Sequence, residues 1–205
     1  MGFLSVLSFA HKLVKERVRS GDAVVDATVG TGVDTLFLAQ AAGETGTVYG
    51  FDIQPQALAL AEERLRKALG ERCRIADGSG PEGGRANVRL LLRSHAELAA
   101  ALPAPLHGRI AAVMFNLGYL PAAFADTGVI TLAETTLPAL EGALAVLKPG
   151  GIATIVLYPG HEGGGAEADA VERWCAALPG TTAQAVIYRM LQKSDAPYMI
   201  ALEKK

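Results

Sequence analysis

The chain has 205 residues, 50% of them hydrophobic and 20% charged, a profile that supports one sizeable buried core and excludes a disordered polyelectrolyte. Nineteen Lys and Arg against 21 Asp and Glu leave a formal net charge of −2. Bulk charge therefore gives no drive toward non-specific nucleic-acid binding, although a local basic face can still supply one.

Residues 1–20 predict an N-terminal helix that ends in the basic residues Lys12, Lys15, Arg17 and Arg19. Short β-branched apolar runs then alternate with longer helical stretches. The first run is Ala23 to Ala27, the second Thr47 to Ile53, the third Val88 to Leu92, the fourth Ile110 to Phe115 and the fifth Ile152 to Tyr158. The first, fourth and fifth are nearly continuous in apolar character, as strands buried on both faces should be.

Helices are expected between them over Thr35 to Ala42, Pro55 to Leu69, Ala96 to Leu102, Thr131 to Leu147 and Glu167 to Ala177. Pro55 suits a first helical turn. Lys148-Pro149-Gly150-Gly151 reads as a break before the fifth strand. Two further strands, Gln184 to Met190 and Tyr198 to Glu203, are joined by too few residues for a helical crossover, so they should be antiparallel. The expectation is a single α/β domain over 1–205 with a seven-stranded, mostly parallel sheet and an antiparallel C-terminal hairpin. A glycine-rich loop over 76–86 interrupts it.

The sharpest local signal is Asp26-Ala27-Thr28-Val29-Gly30-Thr31-Gly32-Val33-Asp34-Thr35, placed where the first strand turns into a helix. Glycines there let a backbone approach a ligand closely. The third glycine of the dinucleotide fingerprint is replaced by Thr35, and a pyrophosphate would be poorly served by carboxylates at Asp26 and Asp34. A ligand with an ammonium and a sulfonium would be well served, which points to S-adenosylmethionine and away from NAD. Asp52, about twenty residues beyond the glycines, is placed to accept ribose hydroxyls. Ile53 and Gln54 are placed to contact an adenine.

D-A-T-x-G-x-G-x-D-T, F-D-I-Q, Ser94-His95, F-N-L-G-Y-L-P at Phe115 to Pro121 and Y-x-G-H at Tyr158 to His161 together resemble the rRNA methylase (YtqB-like) family. The tRNA wobble-uridine enzyme MnmM is associated with that family. The resemblance implies a class I S-adenosylmethionine-dependent methyltransferase of Rossmann-like fold. It implies N-methylation of 5-aminomethyl-2-thiouridine at position 34 of tRNA, to 5-methylaminomethyl-2-thiouridine. Thr31 stands where the family often has Asn, and Val33 where it often has His.

The expected cofactor contacts are Asp26, Ala27, Thr28, Gly30, Gly32, Asp34, Thr35, Asp52, Ile53, Gln54, Ser94, His95, Asn116 and Leu117. The expected catalytic residues are Asn116, as acceptor for the amine, Tyr119, stacking on the uracil, and His161, as proton acceptor or phosphate contact. His11 is expected to help cover the site. The expected partner is a tRNA anticodon stem-loop, met either by the basic N-terminal helix or by Tyr188, Arg189, Lys193 and Tyr198 near the hairpin. A homodimer is a further expectation. Cys73 and Cys175 have no metal-like spacing and read as free thiols, and no metal site is expected. No apolar run reaches the ~18 residues of a membrane span, and no secretory signal is read at the start, so a cytoplasmic protein is expected. Three rivals are an rRNA or small-molecule methyltransferase of the same fold, a non-catalytic nucleotide-binding protein, and an NAD-dependent oxidoreductase.

Overall fold

A computed structural model describes residues 2–76, 87–118, 129–160 and 163–205. Its strands are β1 (Ala23–Asp26), β2 (Thr47–Asp52), β3 (Ile75–Ala76), β4 (Val88–Leu92), β5 (Ile110–Asn116), β6 (Leu147–Leu157), β7 (Ala183–Tyr188) and β8 (Tyr198–Lys204). They form one sheet in the order β3-β4-β2-β1-β5-β6-β8-β7. All neighbours are parallel except β8, which is antiparallel to both β6 and β7. Among the described residues eight strands stand where seven were expected. The extra one, β3, is a two-residue edge pairing with β4 that carries no pattern of its own.

The helices are α1 (Val6–Lys15), α2 (Val33–Ala42), α3 (Pro55–Leu69), α4 (Leu98–Ala101), α5 (Ala133–Val146) and α6 (Gly164–Ala177). Successive strand residues point to opposite faces of a sheet, and the core divides accordingly. Val24, Met114 and Val156 pack with Ala10 and Val14 of α1, Leu38 of α2 and Leu65 of α3. Val25, Phe115 and Ile155 pack with Leu98 of α4, Leu140 of α5 and Val171 of α6. Among the described residues the sheet thus has three helices on each face, which is why β1, β5 and β6 are apolar almost throughout.

Several expected boundaries move, among them α2, which starts at Val33, and β7, which spans Ala183–Tyr188. Lys148 to Gly151 is not a gap between elements. β6 already pairs at Leu147, opposite Ile110, and resumes at Ile152 opposite Ala112, so the four residues form a bulge inside the strand. α5 starts at Ala133 instead of Thr131, because Leu132 is extended (φ −134°, ψ 147°) and the Thr131 N–H is bonded to the Gly118 carbonyl. α6 starts three residues earlier than Glu167, with Gly163 at φ 79° just before it. Cys73 and Cys175 are free and buried. Among the described residues no helix is long and apolar enough to cross a membrane.

From β1 the chain moves outward through β2 and β4, then returns to place β5 on the other side of β1. The carboxyl ends of β1 and β5 therefore flank the point where strand order reverses, where open α/β sheets bind their ligands.

Candidate functional site

A cavity of about 1000 Å3 opens at that point. Its floor is the turn after β1. Ala27, Thr28, Gly30 and Asp34 reach the cavity wall, and the carboxyl end of β2 adds Asp52, Ile53 and Gln54. Ser94 and His95 enter from β4, and Asn116 and Leu117 from β5. Three expected contacts do not reach the wall. Asp26 and Thr35 are fully buried beneath it, and Gly32 is packed against α3. Tyr119 and His161 lie outside the described residues, as does nearly all of the 76–86 loop.

Asp26 works inside the turn. Its Oδ1 accepts the Thr28 N–H at 3.1 Å and its Oδ2 accepts the Thr35 hydroxyl at 2.6 Å. Burial, with the Asp34 and Asp52 carboxylates nearby, pushes its pKa up to about 7 against the pull of those two hydrogen bonds. A carboxyl that costly to ionise serves the loop's shape better than it serves a ligand's charge. Thr28 carries the effect onward: its Oγ1 accepts the Asn116 N–H at 2.8 Å, locking the turn to the end of β5.

Asp52 is fixed from both sides. Oδ2 accepts the Gly30 N–H and Oδ1 accepts the Gln54 N–H, each at 2.9 Å. Each oxygen keeps a lone pair, so the held carboxylate can still accept hydroxyl hydrogens. Burial raises its pKa, and those backbone hydrogen bonds oppose the rise. Beside it, Ile53 is an apolar side chain on the cavity wall that the protein leaves more than half exposed. It offers a flat ring a dry surface.

Across the turn, Asp34 lines the cavity and is met by α1. His11 Nε2 lies 2.5 Å from Asp34 Oδ1, and the His11 ring stacks on Phe37 at 3.9 Å between centroids. Ser5, which caps the same helix, and Ser8 on it also line the cavity, so α1 forms part of its roof. His95 is buried at the opposite side, in contact with the Ala27 backbone and 3.3 Å from the Thr135 hydroxyl. Burial pushes its pKa down to about 4, leaving a neutral ring at neutral pH.

Two features were not read from the sequence as site residues. Tyr158, just past β6, lines the cavity and donates its hydroxyl to Asn116 Oδ1 at 2.8 Å. Its pKa is raised by burial and by the Asp34 carboxylate, so it holds that proton. Glu167 is buried and accepts the hydroxyls of Thr131 and Thr136, both at 2.7 Å. Thr131 in turn exchanges two hydrogen bonds with Gly118: Gly118 N–H to Thr131 Oγ1 at 2.8 Å and Thr131 N–H to the Gly118 carbonyl at 2.9 Å. Gly118, just past β5, is thereby tied through Thr131 to Glu167 of α6. Tyr158 had a signal, its place at a strand end on the same edge. Glu167 had none, since its partners are 31 and 36 residues away.

Comparison with known proteins agrees with this geometry. Residues 48–204 match the family described as "Putative rRNA methylase", and residues 5–82 are similar to the ubiE/COQ5 methyltransferase family. The chain is 33% identical to the chloroplastic tRNA (mnm(5)s(2)U34)-methyltransferase of Arabidopsis thaliana, over 96% of this chain and 68% of that one. A crystal structure described as a "putative rRNA-methylase" from Clostridium thermocellum is similar over 100% of both chains, with 32% identity and a TM-score of 0.86. A protein described as "a putative methyltransferase" from Streptococcus mutans, solved in complex with SAH, is similar over 100% of both chains at 29% identity and a TM-score of 0.81. The protein is thus a methyltransferase of the class I fold that uses S-adenosylmethionine, and it belongs to the rRNA methylase family.

Proposed function

We propose that this enzyme methylates the amino nitrogen of 5-aminomethyl-2-thiouridine at the wobble position of tRNA, giving 5-methylaminomethyl-2-thiouridine. The observation that carries the reading is the 33% identity, over 201 residues, with a plant enzyme named for that wobble nucleoside. The cavity is consistent with it. About 1000 Å3 lies at the top of the ~300–1,000 Å3 range of small-molecule sites, room for a cofactor and a nucleobase together.

The cofactor's residues fit its chemistry. Asp52 would accept the ribose hydroxyls and Ile53 would pack against the adenine, with Gln54, Ser94 and His95 beside them. Thr28, Gly30, Asp34 and Leu117 would hold the remainder, and the Asp34 carboxylate would favour a positively charged ligand. Asp26, Gly32 and Thr35 act indirectly, by holding the turn. When bound, S-adenosylmethionine supplies an electrophilic methyl group.

The protein must present the amine with a free lone pair. Tyr158 fixes the Asn116 carboxamide, and the second lone pair of Asn116 Oδ1 accepts an amine hydrogen. Holding amine and methyl donor at near-attack distance is the main service the site performs. The positive charge of the bound cofactor would lower the amine's pKa and favour its neutral form. Tyr119 as a stacking platform and His161 as proton acceptor complete the proposal.

The test is methyl transfer from labelled S-adenosylmethionine to tRNA from a strain lacking this enzyme, followed by nucleoside mass spectrometry. Loss of the 5-aminomethyl nucleoside with matching gain of the methylaminomethyl product is the expected result. The family description favours rRNA as the second reading. Incorporation into rRNA with none into tRNA would replace the first reading by the second.

A further inference from the structure

The cavity continues past α1. A second groove of about 440 Å3 shares Ser8 and His11 with it and is completed by Leu4, Lys12, Lys15, Glu16 and Phe37. The helix contributions recur three and four residues apart, so they form one face of α1. One end of the groove is therefore the roof of the reaction site.

Its lysines differ from the other basic residues nearby. Arg17 is bound to Glu203 at 2.6 Å, and Arg19 donates to the carbonyls of Glu16 and Val18. Beside the C-terminal hairpin, Arg189 pairs with Glu172 at 3.5 Å and lies over the Tyr198 ring. Lys12 and Lys15 are exposed and have no ion-pair partner among the described residues. Glu16, the acid in the groove, faces Arg17 at 3.9 Å.

Any polynucleotide whose target base enters the cavity must carry its neighbouring ribose and phosphates out past the mouth. A groove confluent with that mouth, with two uncommitted ammonium groups, matches this backbone. Lysine binds phosphate as a point charge, and single-stranded RNA is held by phosphate contacts and stacking. We propose that α1 is the RNA-docking helix, with Lys12 and Lys15 contacting the phosphates that flank the modified nucleotide. The inference rests on the tRNA reading above and goes beyond it by placing the backbone.

The experiment measures binding of tRNA from a strain lacking the enzyme to the wild type, to Lys12→Ala/Lys15→Ala, to Lys12→Arg/Lys15→Arg and to Lys193→Ala, each at several salt concentrations. Loss of two phosphate contacts should lower the slope of log affinity against log salt by roughly 0.7 per contact. The alanine pair should bind about tenfold more weakly or worse at low salt. The arginine pair and Lys193→Ala should bind like the wild type. S-adenosylhomocysteine affinity should be unchanged throughout, which reports intact folding. Wild-type affinity and slope in the alanine pair, with wild-type protein that does methylate tRNA, would overturn the α1 assignment alone. Wild-type protein that neither binds nor methylates tRNA would remove the parent reading and this one with it.

Discussion

Tyr158, one residue past β6, and Asn116, the last residue of the adjacent strand β5, meet through a 2.8 Å hydrogen bond in which the tyrosine hydroxyl donates to the carboxamide oxygen. Because Tyr158 keeps its proton, Asn116 has a defined orientation with Oδ1 as acceptor. Tyr158→Phe should leave cofactor affinity near the wild-type value. It should lower turnover by about tenfold, the size of one net hydrogen bond of ~1.4 kcal/mol. Asn116→Ala should lower turnover further, since it removes the acceptor itself. Steady-state methyl transfer beside calorimetry with S-adenosylhomocysteine separates the two quantities. Wild-type turnover in Tyr158→Phe would detach the pair from catalysis.

Asp52 should show the opposite split. Asp52→Ala removes a carboxylate held by Gly30 and Gln54, and should weaken S-adenosylhomocysteine binding by ~1–3 kcal/mol, the scale for hydrogen bonds to a charged group. Burial raises the Asp52 pKa, so wild-type affinity should also fall as pH drops toward the carboxylate range. The variant should lack that component. An unchanged calorimetric affinity in Asp52→Ala would remove it from the ribose contacts.

The legible parts of the fold were those with a local pattern. Val24-Val25, Ala111 to Phe115 and Ile155 to Leu157 announce doubly buried strands because both faces of the sheet are covered. Ile75-Ala76 was silent, since a two-residue strand exists only by virtue of β4 beside it. The bulge at Lys148 to Gly151 looked like a break because Pro and Gly mark both. In the site, the turn and Asp52 were legible from spacing. Which side of the turn faces the ligand was not. Asp26 and Thr35 bond to each other under the loop, while Asp34 faces the cavity, and sequence order alone does not separate these positions. Glu167 was read as a residue opening a helix, when its carboxylate spans to Thr131 and Thr136.

Gly32 is required by packing and by backbone together. Its φ is 76°, and a Cβ there would lie 2.6 Å from the Ala61 Cα of α3. Gly150 has a similar φ of 73°, but a Cβ would meet nothing within 4 Å. Gly150→Ala should therefore cost only the left-handed backbone, about 1–2 kcal/mol. Gly32→Ala adds an overlap with backbone that side-chain motion cannot relieve, and should cost about 3 kcal/mol or more. Urea unfolding of both variants tests this, and equal losses would show that α3 yields to the new methyl group.

Two buried groups should leave opposite marks on stability against pH. Asp26 moves from an ordinary 3.8 to about 7 on folding. Between those values the folded protein holds a proton that the unfolded chain has released, so this group makes stability fall as pH rises. His95 moves from 6.5 down to about 4. Between those values the unfolded chain holds the extra proton, so His95 makes stability rise with pH. From about pH 4 to 6.5 the two oppose each other, and the wild type should show a shallow profile. Asp26→Asn removes the falling component while keeping an acceptor for Thr35, so it should gain on the wild type by at least ~1 kcal/mol between pH 4.5 and 6.5. His95→Gln removes the rising component and should lose ground over the same interval. Urea unfolding free energies at the two pH values decide the matter. Profiles parallel to the wild type in both variants would mean that neither group changes its protonation on folding, and that the Asp26 carboxylate is ionised beneath the cofactor turn.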